Sequence, residues 1–350
     1  GITALWSAAR ERVGARLARS ANAARSPGLT GLLAAPVLAL ALVPTVLNWN
    51  WASRAGDYTA RDWAYNVLMS VDPYSVLITN GDNDTFPLWY LQEVEGVRRD
   101  VSVVVSSYLQ TPWYAKQLRD ATRPCPPGVD PEADPTRILC QRPYVGGGVA
   151  GVADPVRPPG DSVLPLTDAQ IEAVVGRMTR LDRPAELKVG NIRTTVPAGT
   201  ELLPSDTFIT AILAANLGRR PVHFVVPSPP LATLNLGDFT VRKGLTVRLE
   251  NGPVQSGPGT GVVEIPGNPA PYTLGRYVDL EATNRLVQNT FVFRRQPEDW
   301  NVWADSATKN IPLYYAFTHA ALADAWAVRG DTANATLHAG RSRAWAALAQ

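Results

Sequence analysis

From Ser26 to Ser53 the chain carries no charged residue, and its apolar core runs from Leu29 to Leu47. That is about the ~20 residues a helix needs to cross the hydrocarbon of a bilayer. Pro36 and Pro44 predict kinks, which membrane helices tolerate. Trp49 and Trp51 follow at once, as an interfacial aromatic belt would. The alternatives are a buried helix of a soluble protein and a cleaved leader. The run is long for a leader, and no A-x-A site follows it.

Beyond residue 55 the apolar runs shorten and alternate with helical periods. Residues 60–71 read as a helix stopped at Asp72-Pro73, Ser75–Thr79 as a buried strand, and Asn80–Asp84 as a turn. Thr85–Glu95 then reads as a helix with Pro87 in its first turn, Val101–Val105 as a second strand and Pro112–Ala121 as a helix. This order predicts a parallel strand pair joined by a helical crossover. Residues 122–165 are Pro/Gly-rich and aperiodic, which predicts a long loop. A T-x-x-Q capping box at Thr167 and Gln170 opens a helix expected to reach Leu181. A hairpin is expected over Glu186–Val196 around Gly190-Asn191. It is followed by a helix at Ser205–Leu217, strands at Val222–Val226 and Leu245–Leu249, and a second loop over 251–275. Helices are expected at Leu280–Phe291, Pro312–Arg329 and Thr332–Ala349, the last two as a hairpin turned at Gly330-Asp331. That hairpin is similar to one tetratricopeptide unit, and a single unit is not an array.

Charge sets an orientation. Arg10, Arg12, Arg16, Arg19 and Arg25 precede the apolar run against Glu11 alone. After it, Arg54 and Arg61 are offset by Asp57 and Asp62. The positive-inside rule then places residues 1–25 in the cytoplasm and everything after about residue 50 on the other side. Leu5, Trp6, Val13 and Leu17 suit one face of a basic helix on the membrane surface, and an ordinary linker between membrane helices fits equally well. The chain begins at Gly1, with Met69 and Met178 its only methionines, and reads as cut from a longer one. Net charge is +2 over 350 residues, too balanced for a nucleic-acid partner.

The two cysteines, Cys125 and Cys140, flank a Pro/Gly/Asp-rich stretch with no CxxC spacing and no nearby histidine. That argues against zinc and for a loop-closing disulfide in an oxidising compartment, with free thiols as the alternative. His223, His319 and His338 share no spacing, so neither a metal triad nor a Ser-His-Asp order is expected. The densest polar cluster is Asn80-Gly81-Asp82-Asn83-Asp84-Thr85, at the carboxyl end of one strand and the start of a helix. Ligands bind there in α/β sheets, although a turn with a helix cap uses the same residue types. Trp89, Gln92 and Trp113 follow nearby. Aromatic faces beside carboxylates and amides suit a carbohydrate subsite, with core packing as the plainer role. The candidate ligand-binding set is therefore Asn80, Asp82, Asn83, Asp84, Trp89, Gln92 and Trp113, with no metal and no cofactor expected in this segment.

The segments Ile78–Val104 (ITNGDNDTFPLWYLQEVEGVRRDVSVV) and Thr111–Leu118 (TPWYAKQL) resemble the region after the membrane domain in a bacterial multi-pass family of unknown function. That family is similar to the GT-C-type transmembrane protein O-mannosyltransferases. Looser resemblance extends through Asn216–Phe224, Gly244–Leu249 and Ile311–Ala335. It implies a polyprenyl-phosphate-sugar-dependent membrane glycosyltransferase whose catalytic carboxylate lies upstream, so no catalytic residue carries over to this chain, whose expected role is acceptor binding or structural support of the membrane half.

The expected fold is an α/β extracytoplasmic domain with a C-terminal helical hairpin, preceded by one transmembrane helix. The expected divisions are a cytoplasmic basic segment at 1–28, the membrane helix at 29–47, a periplasmic α/β domain at 55–275 and a helical region at 276–350. The setting is the bacterial inner membrane. Expected partners are membrane lipid, the upstream membrane domain of the same protein, and a glycan or protein acceptor. Two other readings compete: a non-catalytic glycan-binding or assembly module, and a metal-dependent hydrolase built on Asp82 and Asp84.

Overall fold

The computed structural model describes residues 7, 27–53, 55–134, 136–145, 157–265, 276–294 and 308–349. The expected basic segment lies almost wholly outside them. The chain divides into two units, Gly1–Asp57 and Tyr58–Gln350.

In the first unit, helix α1 spans Pro27–Ala52, contains Pro36 and Pro44, and has no charged residue in either end turn. Its 26 residues extend about 39 Å at 1.5 Å per residue. Leu40, Val46, Leu47 and Trp49 are all exposed along it. Among the described residues no helix is long and apolar enough to cross a membrane. Many α1 side chains, those of residues 27–35 among them, lie outside that description, so a crossing at 29–47 stands as a sequence expectation.

The second unit is built on a seven-stranded mixed sheet whose strands run, from edge to edge, β10 (Val262–Glu264), β11 (Tyr277–Asp279), β8 (Thr240–Lys243), β9 (Thr246–Leu249), β7 (Val222–Val225), β1 (Val76–Thr79) and β2 (Ser102–Val105). Helix α2 (Thr59–Ser70) leads into β1 (Val76–Thr79). Helix α3 (Asp82–Glu93) crosses to β2 (Ser102–Val105), and α4 (Pro112–Ala121) follows. β1 and β2 pair in parallel with Val76 opposite Ser102 and Thr79 opposite Val105, as the strand–turn–helix–strand order predicts. β7 (Val222–Val225) adds in parallel to the other side of β1, and β9 (Thr246–Leu249) runs antiparallel to β7.

Side-chain alternation along the strands makes two cores. Val76, Ile78, Val104, Val222 and Phe224 face one layer. It is filled by Tyr114, Ala115 and Leu118 of α4 and by Phe208, Ile209, Ile212 and Leu213 of α6 (Pro204–Asn216). Leu77, Val103 and Val225 face the other. There Trp63, Ala64, Val67 and Leu68 of α2 and Leu88 and Leu91 of α3 meet Tyr315 and Trp345 of the C-terminal hairpin, α9 (Ile311–Val328) and α10 (Thr332–Ala347). The buried Asn66 amide ties the same layers, donating to Tyr315 Oη at 2.9 Å and to Val292 O at 3.1 Å. The hairpin is thus a cover for the sheet. Its turn uses Gly330 at φ 79°, and the Asp331 carboxylate caps Asn334 N–H at 3.0 Å.

Several expectations are corrected. The capped helix at Thr167 stops at Val174 (α5, Asp168–Val174). Val175 turns to extended backbone and Gly176 takes φ 77°, a left-handed conformation that ends helices. The chain then enters β3 (Thr179–Arg180), paired with β6 (Glu201–Leu202). The hairpin over 186–196 is present as β4 (Ala185–Val189) and β5 (Ile192–Val196). The loop expected over 251–275 contains β10 (Val262–Glu264), antiparallel to β11 (Tyr277–Asp279). Three residues are too few to display a period, and the strand is specified by its partner. β11 lies inside the region expected to be helical and joins the sheet through β8 (Thr240–Lys243). The helix expected over Leu280–Phe291 is α8 (Leu280–Arg285) continued by a π-turn at Leu286–Thr290. A short helix, α7 (Pro229–Thr233), was not expected.

Candidate functional site

The Asn80–Thr85 turn sits where β1 ends and α3 begins, and the structure separates its residues by role. The Asp84 carboxylate is buried and accepts the backbone N–H of Asn80 at 2.7 Å and of Gly81 at 2.8 Å. Burial raises its pKa, and the two N–H groups oppose that shift. Asp84 therefore closes the first turn of α3 in the manner of a capping box. Thr85 Oγ1 lies 2.7 Å from Thr79 Oγ1 and locks the turn to β1. Asn80 donates through Nδ2 to Pro227 O at 2.7 Å, while its buried Oδ1 has no partner.

Asp82 and Asn83 are exposed. Asp82 accepts a hydrogen bond from Tyr108 Oη at 2.8 Å, which raises the phenol pKa and keeps it protonated. Tyr108 lies in a 3₁₀ turn (Ser106–Gln110) directly after β2. It is the centre of an aromatic row: Phe86, Trp89, Tyr108 and Trp113 have successive ring centroids 5.9, 6.4 and 6.2 Å apart. Tyr114 braces the row from below, edge-on to Tyr108 at 5.6 Å and to Trp113 at 5.7 Å. Phe86 and Trp113 are half exposed, at 50% and 55%, while Trp89 and Tyr108 between them are partly buried and pack against the core. The carboxyl ends of β1 and β2 thus carry four ring faces beside one exposed carboxylate.

The structure brings Asp82, Asn83, Trp89 and Trp113 together with Phe86 and Tyr108, two residues the sequence reading did not single out. Phe86 belongs to the same turn motif and was legible as an apolar residue on the polar side of α3. Tyr108 had no periodic signal. Gln92 stands apart: its buried Nε2 donates to Arg98 O and Val101 O at 2.8 Å each and pins the loop between α3 and β2. Cys125 and Cys140 form a disulfide with Cα atoms 5.0 Å apart. Among the described residues no three His, Cys, Asp or Glu side chains gather to hold a metal ion. His319 and His338, unrelated by spacing, meet across the hairpin with Nδ1 atoms 2.9 Å apart.

A second charged cluster lies at the opposite ends of the strands. Asp72 meets His223 Nε2 at 3.2 Å, Lys243 Nζ, and Arg248 at 3.7 Å. Burial opposes the Asp72 charge. The His223 hydrogen bond and the neighbouring cations outweigh it and hold the carboxyl well below the usual range. His223 is fully buried, which lowers its pKa to about 4. The carboxylate partner is thus paired with a neutral imidazole and two permanent cations, the arrangement of a structural tie between β7, β8 and β9.

Residues 60–132 match the family model described as TMEM260-associated domain 2. The match covers α2, β1, the turn, α3, β2, the whole aromatic row and α4. It is consistent with a TMEM260-like family and fits a TMEM260-related membrane protein. No curated protein and no solved structure gives a match.

Proposed function

We propose, from the match of residues 60–132 to a TMEM260-associated domain, that this chain is the acceptor-binding region of a GT-C-like membrane glycosyltransferase. In this reading α1 crosses the bacterial inner membrane, residues after about 50 lie in the periplasm, and sugar transfer from a polyprenyl-phosphate donor is carried out by an upstream membrane domain. The chain's own task is to hold a glycan or glycosylated-protein acceptor. It contributes no catalytic group.

The observation that carries this reading is the aromatic row Phe86–Trp89–Tyr108–Trp113, exposed at Phe86 and Trp113, beside Asp82. A sugar ring presents an apolar face of C–H groups and a rim of hydroxyls. Aromatic faces bury the first at low entropic cost, because a ring side chain has few torsions to freeze. A carboxylate accepts strong, charge-assisted hydrogen bonds from the second. The Tyr108 bond holds Asp82 in place without using its second oxygen.

The test is a titration of the chain with manno-oligosaccharides followed by tryptophan fluorescence. Trp113→Ala and Asp82→Asn should each weaken binding about tenfold, the loss of one good contact. Equal binding by parent and both variants contradicts the reading.

A further inference from the structure

Behind the aromatic row is a cavity of about 300 Å³, between α3, β2, α4 and the segment that follows the disulfide. Trp89 and Tyr114 belong to both features. With Val103, Leu118 and Ile138 they make the cavity's apolar wall. β2 ends the sheet among the described residues. Side chains meet that edge and the residues just before the strand: Val105 N–H donates to Tyr114 Oη at 2.8 Å, Gln92 donates to Val101 O, and Gln141 Nε2 donates to Asp100 O at 2.9 Å. These contacts occupy part of that edge, and beside it the cavity is a half-open, concave space suited to a small molecule.

The opposite wall contains Ser102, Gln141 and Arg142, which are 6%, 8% and 3% exposed. Ser102 Oγ, Gln141 Oε1 and Arg142 Nη2 have no hydrogen-bond partner. Buried polar atoms are nearly always paired, so three unpaired ones in a single wall call for an occupant. Their chemistry narrows it. Arg142 is already held by Glu93, with Nη1 2.9 and 2.8 Å from the two oxygens, and Arg99 by Glu132. Two cations meet two carboxylates, and no net charge remains to draw an anion. The unpaired set contains a donor, an acceptor and a hydroxyl that is both. Ligand hydroxyls donate and accept in the same way, and the apolar wall suits a ring face. The volume lies at the small end for ligand sites, enough for one ring and not for a chain.

We infer that this cavity is a subsite for a single neutral sugar ring, with Ser102, Gln141 and Arg142 pairing its hydroxyls. The unpaired atoms lie within the wall, so binding rotates the Ser102 hydroxyl toward the ring, while Gln141 stays held through Nε2 at Asp100 O and Arg142 O. The Cys125–Cys140 disulfide anchors the strand of chain that carries Gln141 and Arg142. The inference rests on the proposed acceptor-binding function, since it makes the cavity the terminal pocket of the same surface.

The experiment is saturation-transfer NMR on the whole chain with methyl α-mannoside, methyl α-glucoside and glucose 6-phosphate as probes. Ser102→Ala removes only an unpaired hydroxyl and should leave the melting temperature unchanged while weakening methyl hexoside binding about fivefold to tenfold. Gln117→Trp, at an exposed position of α4 that lines the cavity, fills the space and should abolish binding. Trp113→Ala reports separately on the aromatic row. Full binding by Ser102→Ala and Gln117→Trp overturns the subsite, and a loss confined to Trp113→Ala then leaves the row's role intact. Loss in the two cavity variants with none in Trp113→Ala supports the subsite and removes the row. Binding of neither methyl hexoside, or tighter binding of glucose 6-phosphate, overturns the subsite.

Discussion

Replacing Asp84 with alanine removes the carboxylate that accepts Asn80 and Gly81 N–H at 2.7 and 2.8 Å. Both donors lie at the junction of β1 and α3, where no helical carbonyl is available to them. A lost cap costs about 0.5–2 kcal/mol, and each buried donor left unpaired adds about 1–3 kcal/mol. Water reaches Gly81 in part, so the expected total is about 2–4 kcal/mol. For a unit of this size that lowers the melting temperature by roughly 3–7 °C. Asp84→Asn keeps one acceptor oxygen and should lose about half as much. Asp82→Ala, two positions away, removes an exposed carboxylate whose one recorded partner is the Tyr108 hydroxyl. It should leave the midpoint essentially unchanged and lose oligosaccharide binding. Thermal unfolding followed by tryptophan fluorescence, paired with the binding titration on the folded variants, separates the two effects. Equal destabilisation by both alanine variants, or normal affinity in Asp82→Ala, refutes this division of labour.

Two further outcomes follow from the same structure. Burial, with smaller contributions from neighbouring charge, lowers His319 to about 3 and His338 to about 4. The unfolded chain therefore takes up protons first. Stability should be intact above about pH 6.5 and fall by on the order of 1–3 kcal/mol as pH drops toward 4. A His338→Gln variant should show a shallower decline in denaturant midpoints across that window, and an unchanged slope would contradict the assignment. Reducing the Cys125–Cys140 bridge, a separation of 15 residues, should cost about 3 kcal/mol of stability. The check is urea unfolding with and without reductant.

The run from α2 to α4 was legible because each element is local: Pro and Asp punctuate it, and β-branched runs mark the strands. The rest of the sheet depends on distant pairing. β7 pairs with β1 across more than a hundred residues, which no local period reports. β8 was hidden because TVRK looks like a solvated segment, yet Arg242 is 1% exposed and its guanidinium reaches Gly244 O and Thr318 Oγ1. The candidate site shows the same division. Asp82, Trp89 and Trp113 were found because the turn motif and its aromatic neighbours lie close in sequence. Gln92 shares that neighbourhood, but its amide is consumed by Arg98 and Val101. Tyr108 sits in an aperiodic turn, and Gln141 joins Ser102 only through the fold, so neither carried a sequence signal.

In the proposed function the aromatic row receives a carbohydrate acceptor. Carbon–proton correlation spectra of the aromatic side chains, recorded while the chain is titrated with a manno-oligosaccharide, test it most directly. Signals of Phe86, Trp89, Tyr108 and Trp113 should move together with one affinity, while those of Trp63 and Trp345, buried in the second core, stay fixed. Unmoved ring signals at saturating oligosaccharide, or shifts confined to residues away from the row, would contradict it.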